Sequence, residues 1–386
     1  MLAICSDLDE TKDLETYIET SRFLNGSDQT GFGKGLQLET GNTIYFDMPD
    51  NQFSYNNTTP DGQGLVQKLI RSGHIDCLHS YGDRVTTRDE VKACLAELER
   101  KNCRLKVWID HAIAPSNFGA DIMAGQGDDP ASDVYHADLT LAHGIRFVSR
   151  GRVTSVVGQD AGFSLAGLFE PRLFRQSMAT LTKEGLKHVL ARMGSEKYAM
   201  HGTNQLLKPV NLRDGQDVME FIRCNPHPCG VSVGDNARGL AEALTSKFFD
   251  TLVSRRGKSI VYTHLGKKID STKGFDDGAR NALKGLRDRH SKRDILVTTT
   301  RRLLGFTEVC MLLKWSVDRS MGDIEIEIDD SVSRDGLQGI NFIAPADANV
   351  SIRIGGERVE TESAARPGMP DVMTHGIPWR RLPYPL

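Results

Sequence analysis

The strongest constraint on the fold is an alternation of short apolar segments with segments of helical periodicity over roughly the first 300 residues. Residues 2–5 and 105–109 have the composition of strands that are buried on both faces. The clearest helix follows Thr87, a typical N-cap residue, because its apolar residues recur at the spacing of one buried face. This alternation predicts an α/β fold built on a parallel sheet or a (β/α) barrel.

A different pattern begins after residue 305. Residues 323–329 alternate strictly between charged and apolar side chains, as in a strand with one wet face, and Gly355 with Gly356 would close a hairpin. We therefore expect a small antiparallel β domain over residues 306–362. Five prolines in residues 363–386 predict an irregular tail along the surface.

One helix predicted inside the first region is amphipathic. It covers residues 182–193, and its apolar side chains Leu186, Val189 and Leu190 lie on one side. A stripe of this kind normally packs on the core, so we expect it to be buried.

The bulk composition indicates a globular protein with a packed core. Of 386 residues, 39% are hydrophobic and 26% are charged. The net charge of -3 supplies no basic field for nucleic acid or an anionic membrane, so we expect neither partner. No apolar segment is long enough to span a bilayer or to serve as a signal peptide, which predicts a cytoplasmic protein. The sequence carries no indication of oligomeric state.

Polar residues lie at or just past the carboxyl ends of the predicted strands. They are Asp7, Asp9, His79, Asp83, Asp110, His111 and His264. In a (β/α) barrel those strand ends share one face, so residues distant in sequence would converge. Two carboxylates as close as those of Asp7 and Asp9 repel each other unless a metal ion or a shared proton reduces the repulsion. The alternative is that Asp9 caps the following helix.

Three short motifs, in matching order, resemble those of the NodB-type polysaccharide deacetylases. Ser6-Asp7-Leu8-Asp9 is similar to the first motif, a strand that ends in two acids, and residues 73–83 resemble the second, which contains His-Ser. Residues 261–265 resemble the last, with Tyr262 in place of a leucine. The resemblance implies a distorted (β/α)7-8 barrel over residues 1–305. It also implies a hydrolase that removes an N-acetyl group from an amino sugar during surface polysaccharide synthesis.

The resemblance also implies roles for individual residues. Asp7 would be the general base, and His264 would be the general acid that protonates the departing amine. Asp9 and His79 would bind a divalent metal ion, with zinc the foremost choice for carboxylate and imidazole ligands. Asp83 stands where the family has a second metal-binding histidine, and an aspartate can bind the same ion through oxygen.

Several alternatives remain open from the sequence. His111 or His136 would supply the missing imidazole if Asp83 does not bind the ion. Asp110 and His111 form either a catalytic pair, in which the acid orients the imidazole, or a simple strand terminus. Related barrels cleave glycosidic bonds with two carboxylates and no metal, and a catalytically inactive carbohydrate-binding protein would keep the same shape.

Overall fold

The computed structural model describes residues 1–165, 167–320, 322–366 and 368–386. It divides the chain into a first unit, Met1–Arg301 with Pro383–Leu386, and a second unit, Arg302–Leu382. Among the described residues, no helix is both long and apolar enough to cross a bilayer.

The first unit has a mixed α/β architecture. Its strands are β1 (Leu2–Ser6), β2 (Gln29–Thr30), β3 (Gly33–Lys34), β4 (Thr43–Ile44), β5 (Cys77–His79), β6 (Val107–Ile109), β7 (Phe147–Ser149), β8 (Val153–Thr154), β9 (Leu207–Asn211), β10 (Asp217–Phe221), β11 (Arg223–Cys224) and β12 (Ser259–Thr263). Its helices are α1 (Leu14–Asn25), α2 (Pro60–Ser72), α3 (Arg88–Arg100), α4 (Ala137–His143), α5 (Phe174–Arg192), α6 (Ala199–Thr203), α7 (Leu240–Ala243), α8 (Ser246–Arg255) and α9 (Asp277–Ser291). A further helix, α10, covers Thr300–Leu312.

The strands form two main sheets, with the orders β1-β12-β11-β8 and β4-β5-β6-β7-β10-β9. Every pair in these sheets is parallel except β9 with β10. The prediction of an α/β fold with parallel sheets is therefore confirmed. The apolar segment at residues 295–298 contributes a single parallel bridge, between Val297 and Leu2.

Strand β1 lies in the interior because its side chains are apolar and neighbours cover it. Leu2, Ala3 and Ile4 are completely buried, and the strand pairs with β12 over its whole length. The helix that follows begins at Leu14, and the Asp13 side chain caps it by accepting from the Thr16 amide at 2.8 Å. The alternative in which Asp9 caps this helix is wrong, which leaves Asp9 available for other contacts.

The predicted helices are formed with changes at two places. Helix α3 is capped by Thr87 as expected, in a capping box with Glu90. Helices α7 and α8 are separate, because Thr245 caps the second one by accepting from the Phe248 amide. Helix α5 starts before the predicted residue 182, and the expectation that Leu186 and Val189 are buried is wrong, since both are exposed.

The second unit is built on two sheets. Its strands are β13 (Trp315–Ser320), β14 (Asp323–Ile328), β15 (Asn341–Pro345), β16 (Asn349–Ile354), β17 (Glu357–Arg358), β18 (Glu362–Arg366) and β19 (Met369–Gly376), in the orders β13-β14-β16-β17 and β15-β19-β18. The hairpin at Gly355 and Gly356 is confirmed. Strands β14 and β16 are parallel, so the unit is not purely antiparallel.

The end of the chain also differs from the predicted irregular tail. Strands β18 and β19 pair there, although Pro370 lies within β19. Proline is compatible with a strand where its missing N–H is not needed by the ladder. The proline content of this segment therefore did not prevent regular structure.

Candidate active site

The carboxyl ends of four parallel strands bring acids and imidazoles together around Asp9. Asp7 and Asp9 follow β1, His79 ends β5, His111 follows β6 and His264 follows β12. The two Asp9 oxygens contact different rings, Oδ1 at 2.7 Å from His111 Nε2 and Oδ2 at 3.3 Å from His264 Nε2. Asp9 is therefore the centre of the cluster.

These contacts shift the pKa values of the groups involved. Burial alone would raise the pKa of Asp9, but hydrogen bonds from His111 and His264 hold it well below its usual range. Burial alone would lower the pKa values of the two histidines, yet both are raised, chiefly by their bonds to Asp9. In this arrangement the carboxylate is ionised and the imidazoles favour the protonated form.

Two further acids contact the outer nitrogens of the same histidines. Asp83 Oδ1 lies 3.1 Å from His111 Nδ1. The His264 Nδ1 lies 2.6 Å from the backbone oxygen of Asp235 and 3.6 Å from its Oδ2. His264 is thus hydrogen-bonded at Nδ1, which sets its orientation toward Asp9, whereas Asp83 lies within ion-pair distance of His111 Nδ1 without forming a hydrogen bond.

Asp7 has a separate partner. Its Oδ1 accepts from Arg223 Nη1 at 2.5 Å, and the guanidinium carbon of Arg223 lies 4.5 Å from the centre of the Tyr262 ring. The Arg223 side chain is 0% exposed and that of Asp7 is 5% exposed. Burial would lower the pKa of Arg223, but the Asp7 charge raises it, so the pair is ionic.

His79 is held differently from the other two histidines. Its ring stacks on Tyr45 with 4.6 Å between centres, and burial lowers its pKa to about 4 despite the nearby charges of Asp7 and Asp9. Its Nε2 lies 3.7 Å from Asp7 Oδ2, beyond hydrogen-bond distance, and within the described residues its buried Nδ1 has no hydrogen-bond partner. His79 is therefore a neutral imidazole beside the cluster.

The donor atoms suit a divalent ion. Asp7, Asp9 and His264 each offer a ligand atom, and these atoms lie within 4.8 Å of one another. Carboxylate oxygen with imidazole nitrogen is a set that zinc and other first-row divalent ions accept. The set predicted from the resemblance, Asp9, His79 and Asp83, is not the one that is brought together here, because Asp9 and Asp83 bind opposite sides of His111.

Asp110 and His136 face other parts of the unit. Asp110 accepts from the Trp108 indole at 2.7 Å and from the Phe118 and Gly119 amides at 2.9 and 2.8 Å. Burial raises its pKa to about 7. His136 Nε2 lies 2.8 Å from the Ser116 backbone oxygen. Asp110 therefore organises the loop after β6 and does not contact the His111 ring.

Three contributors to the cluster were not predicted from the sequence: Arg223, Tyr45 and Asp235. Arg223 had a usable signal, since a charged residue at the end of an apolar strand usually faces a site or a partner. Tyr45 follows the two-residue strand β4 inside a long polar segment, and Asp235 acts partly through its backbone oxygen. The sequence around Tyr45 and Asp235 gives no comparable indication that these residues belong to a site.

The arrangement can bind a divalent ion and can move protons at His111 and His264. No family model, curated protein or solved structure matches this chain. The functional assignment therefore rests on the geometry around Asp9 and on the three sequence motifs.

Proposed function

We propose that this protein is a metal-dependent hydrolase that removes the N-acetyl group from an amino sugar, in the synthesis of a surface polysaccharide. The observation that carries the proposal is the convergence of Asp7, Asp9, His79, His111 and His264 from four strand ends. Amide hydrolysis needs an activated water, a polarised carbonyl and proton transfer to the amine, and this set of residues offers each. The acetamido sugar as substrate rests on the resemblance of the motifs.

Asp9 and His264, together with Asp7, are the residues that would hold the ion. When bound, a divalent ion polarises the amide carbonyl and lowers the pKa of water. Arg223 already neutralises one oxygen of Asp7, so the other oxygen faces the cluster with a fixed orientation. The stacked and neutral His79 is a fourth donor within reach of Asp7.

His111 is the residue best suited to move protons. Its Nε2 contacts Asp9 at the centre of the cluster, and Asp83 lies 3.1 Å from its Nδ1. Because its contacts with Asp9 and Asp83 favour the protonated ring, His111 can donate a proton to the leaving amine. His264 cannot bind an ion through Nε2 and donate a proton from the same atom. The prediction that His264 is the general acid therefore applies only if the ion is bound by the alternative ligand set, Asp9, His79 and Asp83.

We also infer that the two parallel sheets form one distorted (β/α) barrel. Strand β7 leads into β8 across residues 150–152, and β10 leads into β11 across Ile222, so two chain segments contribute to both sheets. Along these segments the neighbours run in the order β4, β5, β6, β7 with β8, β10 with β11, β12 and β1, and each pairing lies within one sheet or the other. A barrel explains why the site residues lie at carboxyl ends on one face.

The geometry favours the hydrolase over a glycosidase. Glycosidases of the two-carboxylate type need one acid that keeps its proton at neutral pH. Asp9 has the opposite property, because its two histidine contacts lower its pKa. Asp9 is therefore unsuited to be the protonated acid that such a glycosidase needs.

The test measures metal content and acetate release. The purified chain is loaded with zinc or manganese and incubated with oligosaccharides of N-acetylglucosamine. Asp9→Asn should lose the ion and reduce acetate release by at least about 100-fold, while the exposed control Asp61→Asn should match the parent. A protein that binds no divalent ion and releases no acetate from any acetamido sugar would contradict the proposal.

The ligand set is tested by two matched histidine variants. His264→Gln should lose the ion, whereas His79→Gln should keep at least part of it. The opposite result would favour the set Asp9, His79 and Asp83, with His264 as the acid. Metal analysis on both proteins, with folding checked by circular dichroism, separates the two assignments.

A further inference from the structure

Helix α5 (Phe174–Arg192) has its polarity inverted relative to an ordinary surface helix. Its buried residues are Ser177, Thr180 and Glu184, all polar. Its apolar side chains face solvent and include Phe174, Met178, Leu186 and Val189, with Met193 directly after the helix. Phe174 and Leu186 are 59% and 56% exposed, and Met193 is 77% exposed. An apolar stripe of this length on a helix surface marks a contact site.

Specific polar contacts hold the helix in this orientation. The buried Glu184 accepts from the Thr154 hydroxyl at 2.7 Å and pairs with Lys187 at 2.7 Å. Rotation of the helix to bury its apolar side would break these bonds and leave the buried Thr154 hydroxyl without its acceptor, which is costly. The apolar stripe therefore faces outward as a consequence of the fold.

All exposed charges on this helix are positive. They are Arg175, Lys183 and Arg192, and among the described residues none of the three forms an ion pair. Apart from the buried Glu184, the nearest acids along the chain lie beyond the two ends of the helix, at Glu170 and Glu196. The exposed face thus combines an apolar stripe with unpaired cations, the composition of helices that lie on anionic membrane surfaces.

We propose that helix α5, with Met193, docks on the surface of an anionic lipid bilayer. The apolar side chains would enter the interfacial region, while Arg175, Lys183 and Arg192 would meet lipid phosphates. Charge complementarity favours this partner over a second copy of the chain. Two copies joined through this face would bring their unpaired cations together, and like charges across an interface oppose association.

The net charge of -3 does not conflict with a local basic surface. Attraction to a membrane acts within about 10 Å at moderate salt, so the charges near the contact matter more than the total. Composition alone predicted no membrane partner, because it averages over the whole surface. The docking proposal does not depend on the proposed hydrolase activity.

The test is sedimentation of the full chain with vesicles of phosphatidylcholine alone or with phosphatidylglycerol added. We expect binding only to the anionic vesicles, and we expect it to weaken as salt is raised. Lys183→Gln/Arg192→Gln should weaken binding roughly 30-fold. The control Lys68→Gln/Lys284→Gln makes the same charge change on exposed positions of α2 and α9 and should bind as the parent does.

A second pair of variants tests the apolar stripe. Phe174→Gln/Leu186→Gln should lose binding at least tenfold, whereas Val253→Gln/Ile343→Gln, two exposed apolar positions elsewhere, should not. Absence of binding to anionic vesicles would overturn the proposal. So would equal binding to neutral vesicles, or a dimer in sedimentation velocity that Phe174→Gln/Leu186→Gln dissociates, since that result would assign the stripe to a second copy.

Discussion

Replacement of Arg223 by methionine tests the buried ion pair that supports the site. The pair is 2.5 Å long, and both side chains are almost completely removed from solvent. Removal of one partner from such a pair leaves an uncompensated buried charge and costs about 3–5 kcal/mol of unfolding free energy. Arg88→Met is the matched control, because its partner Asp138 is 40% exposed and the loss should be about 1 kcal/mol or less.

The double variant Asp7→Asn/Arg223→Met isolates the interaction between the two charges. It removes both charges, so we expect it to be less destabilised than the sum of the single variants by at least about 2 kcal/mol. The Arg223→Met single variant and the double variant both lose the contact between the guanidinium and the Tyr262 ring.

The assay is urea unfolding at pH 7 with EDTA present, so that ion binding does not add to stability. The chain has three tryptophans, of which Trp108 is buried in the first unit and Trp315 and Trp379 lie in the second. Trp315→Phe/Trp379→Phe therefore gives a background in which fluorescence reports the first unit alone. Losses that simply add in the double variant, or an Arg223→Met loss no larger than that of Arg88→Met, would refute the reasoning.

Three further predictions concern residues around the site. Burial raises the pKa of Asp110 to about 7 in the folded protein, against 3.8 in the unfolded chain. The stability that its protonated carboxyl contributes is therefore lost as pH rises between those values. Relative to Asp110→Asn, the parent should be more stable at pH 5 than at pH 8 by roughly 2–3 kcal/mol in urea unfolding. Gly82→Ala should cost more than about 2 kcal/mol in thermal unfolding, because φ is +98° and a Cβ would lie 2.0 Å from the Asp47 oxygen. His136→Phe should cost about 1–3 kcal/mol and leave metal content unchanged, since its ring bonds to Ser116 and not to the cluster.

Sequence periodicity located the site because parallel strands end on one side of a sheet. It placed Asp7, Asp9, His79 and His264 at strand ends, and the structure brings these residues together. It did not predict which atoms pair. Neighbouring residues at a strand end point in different directions, so the ring of His111 joins the cluster while the carboxylate of Asp110 turns to the loop amides.

Periodicity also identified helix α5 but assigned the wrong face to the core. Leu186 and Val189 repeat at helical spacing, which is normally the mark of a buried side. The decisive interaction is the contact of Glu184 with Thr154, which are 30 residues apart. A local pattern contains no information on such a contact, so the inversion of the helix could only be seen in the fold.

The two acids that end the first strand differ in how their charge is balanced. Asp7 has a permanent partner in Arg223, whose buried guanidinium stays charged. Asp9 lies within hydrogen-bond or ion-pair distance of the imidazoles of His111 and His264, and those rings gain or lose a proton with their surroundings. A divalent ion at Asp9 would supply the same positive charge as the protonated rings, and it would use the Nε2 of His264 that otherwise carries the proton. The charge of Asp7 is thus neutralised by a fixed arginine, whereas that of Asp9 is neutralised by protonated imidazoles, whose positive charge an ion can replace.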